Sequence, residues 1–157
     1  MTNFWLFVHL TGLVLLAGGV GAANLSGVMM SKADSPRLLV MWSGINMGAE
    51  RMFILPGALV LIVAGTALVH EEGRSYGAPW IAAAYVLWVV AVFLGGVVLG
   101  RHAHAINHLA SEEAAAGTET STAAAALARS PKGPAVGMTL NVIVFVFIAL
   151  MVFKPGG

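Results

Sequence analysis

At 157 residues, with 59% hydrophobic and only 10% charged residues, the chain is too apolar to cover the surface of a soluble domain. A net charge of +1 argues against an electrostatic nucleic-acid partner, which would need clustered Lys and Arg. With no cysteine, disulfides, thiolate metal sites and thiol catalysis are excluded as well.

Four stretches lack Asp, Glu, Lys and Arg: Phe4 to Ala23, Met52 to Val69, Pro79 to Gly100 and Pro134 to Phe153. Each is about long enough to cross a bilayer as a helix, which takes roughly 20 apolar residues. Lipid offers no partner to backbone N–H and C=O groups, so helices are the spanning form these lengths allow. The predicted fold class is all-α, an integral membrane four-helix bundle. It forms one transmembrane domain over 1–157, with spans of about 4–26, 52–70, 79–101 and 134–153, and leaves no room for a separate globular domain.

The first segment begins Met1-Thr2-Asn3-Phe4-Trp5, with no cation ahead of the apolar run, so a retained helix is expected and not a cleaved signal peptide. Within it His9, Gly12, Leu16, Gly19, Ala23 and Gly27 fall three or four residues apart on one face. Small residues at that spacing let membrane helices approach closely, which puts His9 on the packed side. Ser31 to Arg51 mixes Leu38, Leu39, Val40, Met41 and Trp42 with Arg37, Asn46 and Glu50. It reads as a short interfacial helix between helices 1 and 2, with Trp42 at headgroup depth and Glu50 paired locally with Arg51. Pro56-Gly57 is expected in the first turns of the second span, where proline is tolerated.

Pro79-Trp80 opens the third span, and Gly96 and Gly100 notch it. Nothing stops that helix at Gly100, so it is expected to project through Arg101 to Ala116. Gly117 to Ala126 is low-complexity and reads as a mobile linker. Pro131-Lys132-Gly133-Pro134 launches the fourth span, and Lys154-Pro155-Gly156-Gly157 ends it. Lys32, Arg37, Arg51, Arg101, Arg129 and Lys132 lie on one side of the spans, against Arg74 and Lys154 on the other. That asymmetry predicts a multi-pass protein of the bacterial cytoplasmic (inner) membrane, with both termini outside.

Candidate chemistry starts at His9. Ionisable groups inside a span are costly and face the protein interior. One reading makes His9 an axial ligand of haem b; the other bonds it to a backbone carbonyl or water. His70 ends the second span on the same side, where it would be a second ligand, with Arg74 pairing a haem propionate. His104, His108 and Glu112 are spaced i, i+4, i+8 and line one helical face, which suits either a divalent metal or a solvated surface. Met29, Met30, Met41, Met47 and Met52 invite a copper(I) reading, although methionine is also common in apolar helices. No pair of buried carboxylates, no nucleophile with a base and no phosphate loop is found.

The runs Phe7-Val8-His9-Leu10-Thr11-Gly12 with Ala17-Gly18-Gly19, Pro56-Gly57-Ala58-Leu59 with Ala64-Gly65, and Leu150-Met151-Val152-Phe153-Lys154-Pro155 resemble an uncharacterised bacterial family of predicted four-helix integral membrane proteins. The resemblance spans nearly the whole chain. That family is in turn distantly similar to HemJ-type protoporphyrinogen oxidase, a haem-binding membrane enzyme, and to the membrane domain of CopD-like copper-resistance proteins. His9 falls at the haem-ligand position of the HemJ-type family, and Lys154-Pro155 matches its closing motif. That family's Trp-Leu-His-x-Lys-like start to the third helix is replaced here by Trp80-Ile81-Ala82-Ala83-Ala84, and its Asn-Glu-x-Pro-like turn is absent. The resemblance therefore implies the fold and a haem site more than the oxidase reaction.

The favoured reading is a small non-enzymatic membrane protein that binds haem b, as a redox-associated or accessory subunit. A divergent HemJ-type oxidase and a copper-handling protein are the alternatives. Expected partners are the lipid bilayer and further copies of the chain or a larger membrane complex, with no nucleic acid.

Overall fold

The computed structural model describes residues 1–155 and is helical throughout its length apart from short connections. Gly156-Gly157, the last part of the expected stop signal, lie outside the described residues. Helix α1 covers Thr2–Lys32, α2 covers Pro36–Glu71, α3 covers Pro79–Ala115, the short α4 covers Ala123–Ala128, and α5 covers Lys132–Phe153. Four helices are long and apolar enough to cross a membrane, α4 and α5 together making the last of them.

The expected interfacial helix over Ser31 to Arg51 is not a separate element. Ser35 caps and Pro36 starts α2, and the helix then runs unbroken from Pro36 into the second span. Nothing between Ala49 and Met52 can break a helix. The chain instead widens into a π turn over Glu50–Ile54, where the Leu55 N–H donates to the Glu50 carbonyl. Pro56, which has no N–H and crowds the preceding turn, follows directly, so the wide turn absorbs its misfit. Pro56-Gly57 thus sits mid-helix, not near a helix start. A second π turn, Phe93–Leu99, lies in α3 around Gly95-Gly96.

At 36 and 37 residues, α2 and α3 are about 54–56 Å long, well beyond the ~30 Å hydrocarbon core. Their surplus halves meet α4 and the end of α1 in a cap beyond the apolar spans. Leu39, Ile106, Ala110, Ala124, Ala125 and Met30 form its buried core, and Trp42 packs on that core. Asn107 of α3 ties the halves together, donating to Ser43 Oγ at 2.8 Å.

Gly117 to Ala126 is not a free linker. Glu113 reaches from α3 to accept from the Ser121 hydroxyl and from the N–H groups of Ala123 (2.8 Å), Thr122 (3.2 Å) and Ala124 (3.4 Å). These amides begin α4 and would otherwise be unpaired. Arg129 closes the other side, pairing with Asp34 and donating to the Ser31 carbonyl at the end of α1.

The Ser121 hydroxyl, then the α4 amides, hold the Glu113 carboxyl below its ordinary value of 4.5. A folded pKa below the unfolded one stabilises the cap above that ordinary value, and the contribution disappears as pH falls through the folded pKa. A nitroxide label at Ala126 should be immobile at pH 7 in the wild type and mobile at the same pH in Glu113→Ala. Unchanged mobility would show that Glu113 does not hold α4.

In the spanning region the helices form two pairs. Helices α1 and α2 pack along their whole length, and α5 packs on the first half of α3, while α1 and α5 scarcely touch. The first pair owes its closeness to glycine. A Cβ on Gly57 would stand 2.7 Å from the Leu16 backbone nitrogen; one on Gly19, 2.7 Å from Ile54; one on Gly12, 2.9 Å from Val60. Gly27 and Gly96, expected to share this role, have nothing within 4 Å.

Candidate functional site

Between the two helix pairs lies a cavity of about 740 Å³, within the range of ligand-binding pockets. Its walls are mostly apolar and come from α1, α2, α3 and α5. Tyr85 and Trp88 of α3 bridge it: Tyr85 Oη and Thr66 Oγ1 are 2.7 Å apart, and Trp88 Nε1 donates to the Ala58 carbonyl at 3.2 Å.

His9 stands on the cavity wall toward the end that holds the chain termini and is 9% exposed. Its ring lies on α2, where Gly65 leaves it room: a Cβ there would stand 3.2 Å from Cε1 and 3.5 Å from Nδ1. Nδ1 is buried without a hydrogen-bond partner, and the Leu61 backbone neighbours the ring.

His70 does not join it. His70 is exposed and lies off the cavity wall. His9 packs at the level of Gly65, which puts His70 about 7.5 Å further along the helix, at 1.5 Å per residue. Arg74 pairs with Glu72 and lies 5.9 Å over the Trp80 ring. Lys154, in a left-handed conformation that ends α5 (φ 43°), lies 5.9 Å over the same ring. Trp80 lines the cavity, and its Nε1 is buried and unpartnered. Sequence reading missed this pairing of cations around Trp80, because residues 74, 80 and 154 come from three segments.

The remaining candidates stay apart from the cavity. His108 Nδ1 is 3.5 Å from Glu112 Oε2, both side chains are largely exposed, and His104 is exposed too. Among the described residues, no three His, Asp or Glu side chains gather as a metal site. Met30 is buried in the cap, whereas Met41 and Met52 face outward. Glu50 forms no ion pair with Arg51 among the described residues; its carboxylate lies across at Gly100 of α3.

The sequence matches, over residues 4–155, a family described as predicted integral membrane protein (DUF2269). The chain belongs to that family. No curated protein and no solved structure matches it. Membership of DUF2269 agrees with four apolar helices of spanning length and with lipid as the surroundings of the outward-facing Phe4, Phe7, Leu59, Phe93 and Phe145.

Proposed function

We propose that this DUF2269 protein binds haem b in its intramembrane cavity and serves as a redox-associated or accessory membrane subunit. One observation carries the reading. His9 lies at the cavity wall with its ring set on α2 at Gly65 and with a buried nitrogen, Nδ1, that has no hydrogen-bond partner among the described residues. An imidazole held at a cavity wall with a ring nitrogen left unpaired is a candidate donor to a ligand. The apolar walls suit a macrocycle, and Arg74 and Lys154 beside Trp80 supply positive charge for its acidic side groups. When bound, the haem would supply one-electron chemistry; the protein's part is ligation, orientation and exclusion of water.

Titration of haem into detergent-purified protein tests this. The wild type is expected to take up one haem per chain, and His9→Ala none, with equal helical content in both. Equal uptake by the two proteins would remove His9 from the site.

The sidedness is part of the same proposal. The cap carries Lys32, Arg37, Arg51, Arg101, Arg129 and Lys132, so it faces the cytoplasm and the His9 end faces outward. Reporter fusions at Thr120 and at the C-terminus should therefore report opposite sides of the membrane. Both on one side would reject this topology.

A further inference from the structure

Far from His9, the same cavity contains a half-buried carboxylate. Glu50 opens the α2 π turn and lines the cavity. Its oxygens lie against Gly100, where a Cβ would stand 3.1 Å from Oε1 and 3.4 Å from Oε2. Among the described residues no hydrogen bond or ion pair takes that carboxylate. Its charged or titratable neighbours are the exposed Arg51 on its own helix and the exposed His104 on α3. The cavity wall has His9 and His102 besides, and neither Lys nor Arg. Glu50 is its one acidic residue.

Carboxamides accompany it. Asn46 donates through Nδ2 to the Ala23 carbonyl (3.2 Å) and to Ser26 Oγ (3.0 Å), which leaves its Oδ1 free to accept. Asn24 of α1 bonds to Asn141 of α5 at 3.1 Å, and both line the cavity. The polar end therefore sets one carboxylate beside carboxamides, with Asn46 Oδ1 as a further acceptor. Beyond it, Ile54, Val92, Leu99 and Val144 continue the wall in hydrocarbon. An ionised group in such surroundings is costly unless a cation compensates it. The cavity's volume suits a molecule with a carbon skeleton and not a bare ion.

We propose that this end of the cavity takes a lipophilic primary amine, its ammonium on the Glu50 carboxylate and Asn46 Oδ1, its hydrocarbon along the apolar wall. Two features favour the site: Glu50 opens the α2 π turn, and Gly100 leaves the space for its carboxylate. Such single wide turns recur at functional positions. The site is independent of the haem reading. Glu50 lies fifteen residues from Gly65, about 22 Å along α2, at the other end of the cavity.

Octylammonium, 1-octanol and octanoate, matched in chain and differing in head group, test it in nonionic detergent with the fluorescence of the cavity tryptophans as readout. Octylammonium should bind the wild type at least about tenfold tighter than octanol, a difference of about 1.4 kcal/mol. Octanoate should bind weakest. Glu50→Gln should bring octylammonium down to octanol. Octylammonium no tighter than octanol, a preference unchanged in Glu50→Gln, or the same response to sodium chloride alone would overturn the proposal. Should Glu50→Gln fail to fold, the wild type still decides. A hydrophobic carbodiimide should modify Glu50, and octylammonium but not octanol should slow that reaction. Modification untouched by octylammonium would overturn the proposal equally. A colourless preparation would count against the haem site and leave these results as they are.

Discussion

Replacing Gly57 with valine should separate α1 from α2 and cost most of the folded protein. The first added carbon alone would stand 2.7 Å from the backbone nitrogen of Leu16 and 3.0 Å from the Gly12 carbonyl oxygen. Backbone cannot swing aside as a side-chain tip can, so the whole of α1 would have to move. Overpacking of a tight contact costs about 1–3 kcal/mol, and a branched side chain against backbone belongs at the upper end. In a membrane the penalty is not softened by hydrophobic burial elsewhere, because close van der Waals packing is itself a main source of helix association. Gly18→Val provides the control, since a Cβ there meets nothing within 4 Å. Thermal unfolding in detergent should show Gly57→Val strongly lowered and Gly18→Val close to the wild type. Equal midpoints would mean that α1 and α2 are not held at this distance.

The second large effect is expected at Gly65, which touches the candidate ligand without being one. Its missing side chain is the space in which the His9 imidazole lies, 3.2 Å from Cε1 to where a Cβ would be. Gly65→Leu fills that space and swings the ring out of place, while His9 itself is kept. Loss of a group that orients a metal ligand typically weakens binding about 10–100-fold. Haem titration of Gly65→Leu should show a weakening of that order with helical content unchanged. Haem uptake equal to the wild type would mean that the ring's position on α2 does not matter. Glycine at 65 would then be a packing feature only.

Much of this architecture is legible in the residues. Uncharged runs place the spans, and the lack of a breaker after Gly100 carries α3 beyond them. The Gly12 and Gly19 spacing marks the seam, with His9 on it. The cap is harder to see. Its core takes Ala124 and Ala125 from a stretch whose composition reads as unstructured, and alanine carries no periodic signal strong enough to reveal a buried face. What orders that stretch is Glu113, eight to eleven residues earlier in the chain, a contact beyond helical spacing. Glu50 illustrates the same limit. Adjacent charges at a helix start suggest a local pair, yet the carboxylate lies against a helix fifty residues away. Pro56 hints at some irregularity there without specifying its kind. Trp80 reads as an interfacial anchor. Its place between Arg74 and Lys154 follows only from the antiparallel arrangement of α3 and α5.

The most direct test of the account is an optical spectrum of the wild-type protein, purified in mild detergent from haem-replete cells and recorded oxidised and reduced. The account predicts a Soret band that sharpens and shifts on reduction, and that is missing from His9→Ala prepared in parallel. A colourless wild type that also fails to bind added haem would contradict it.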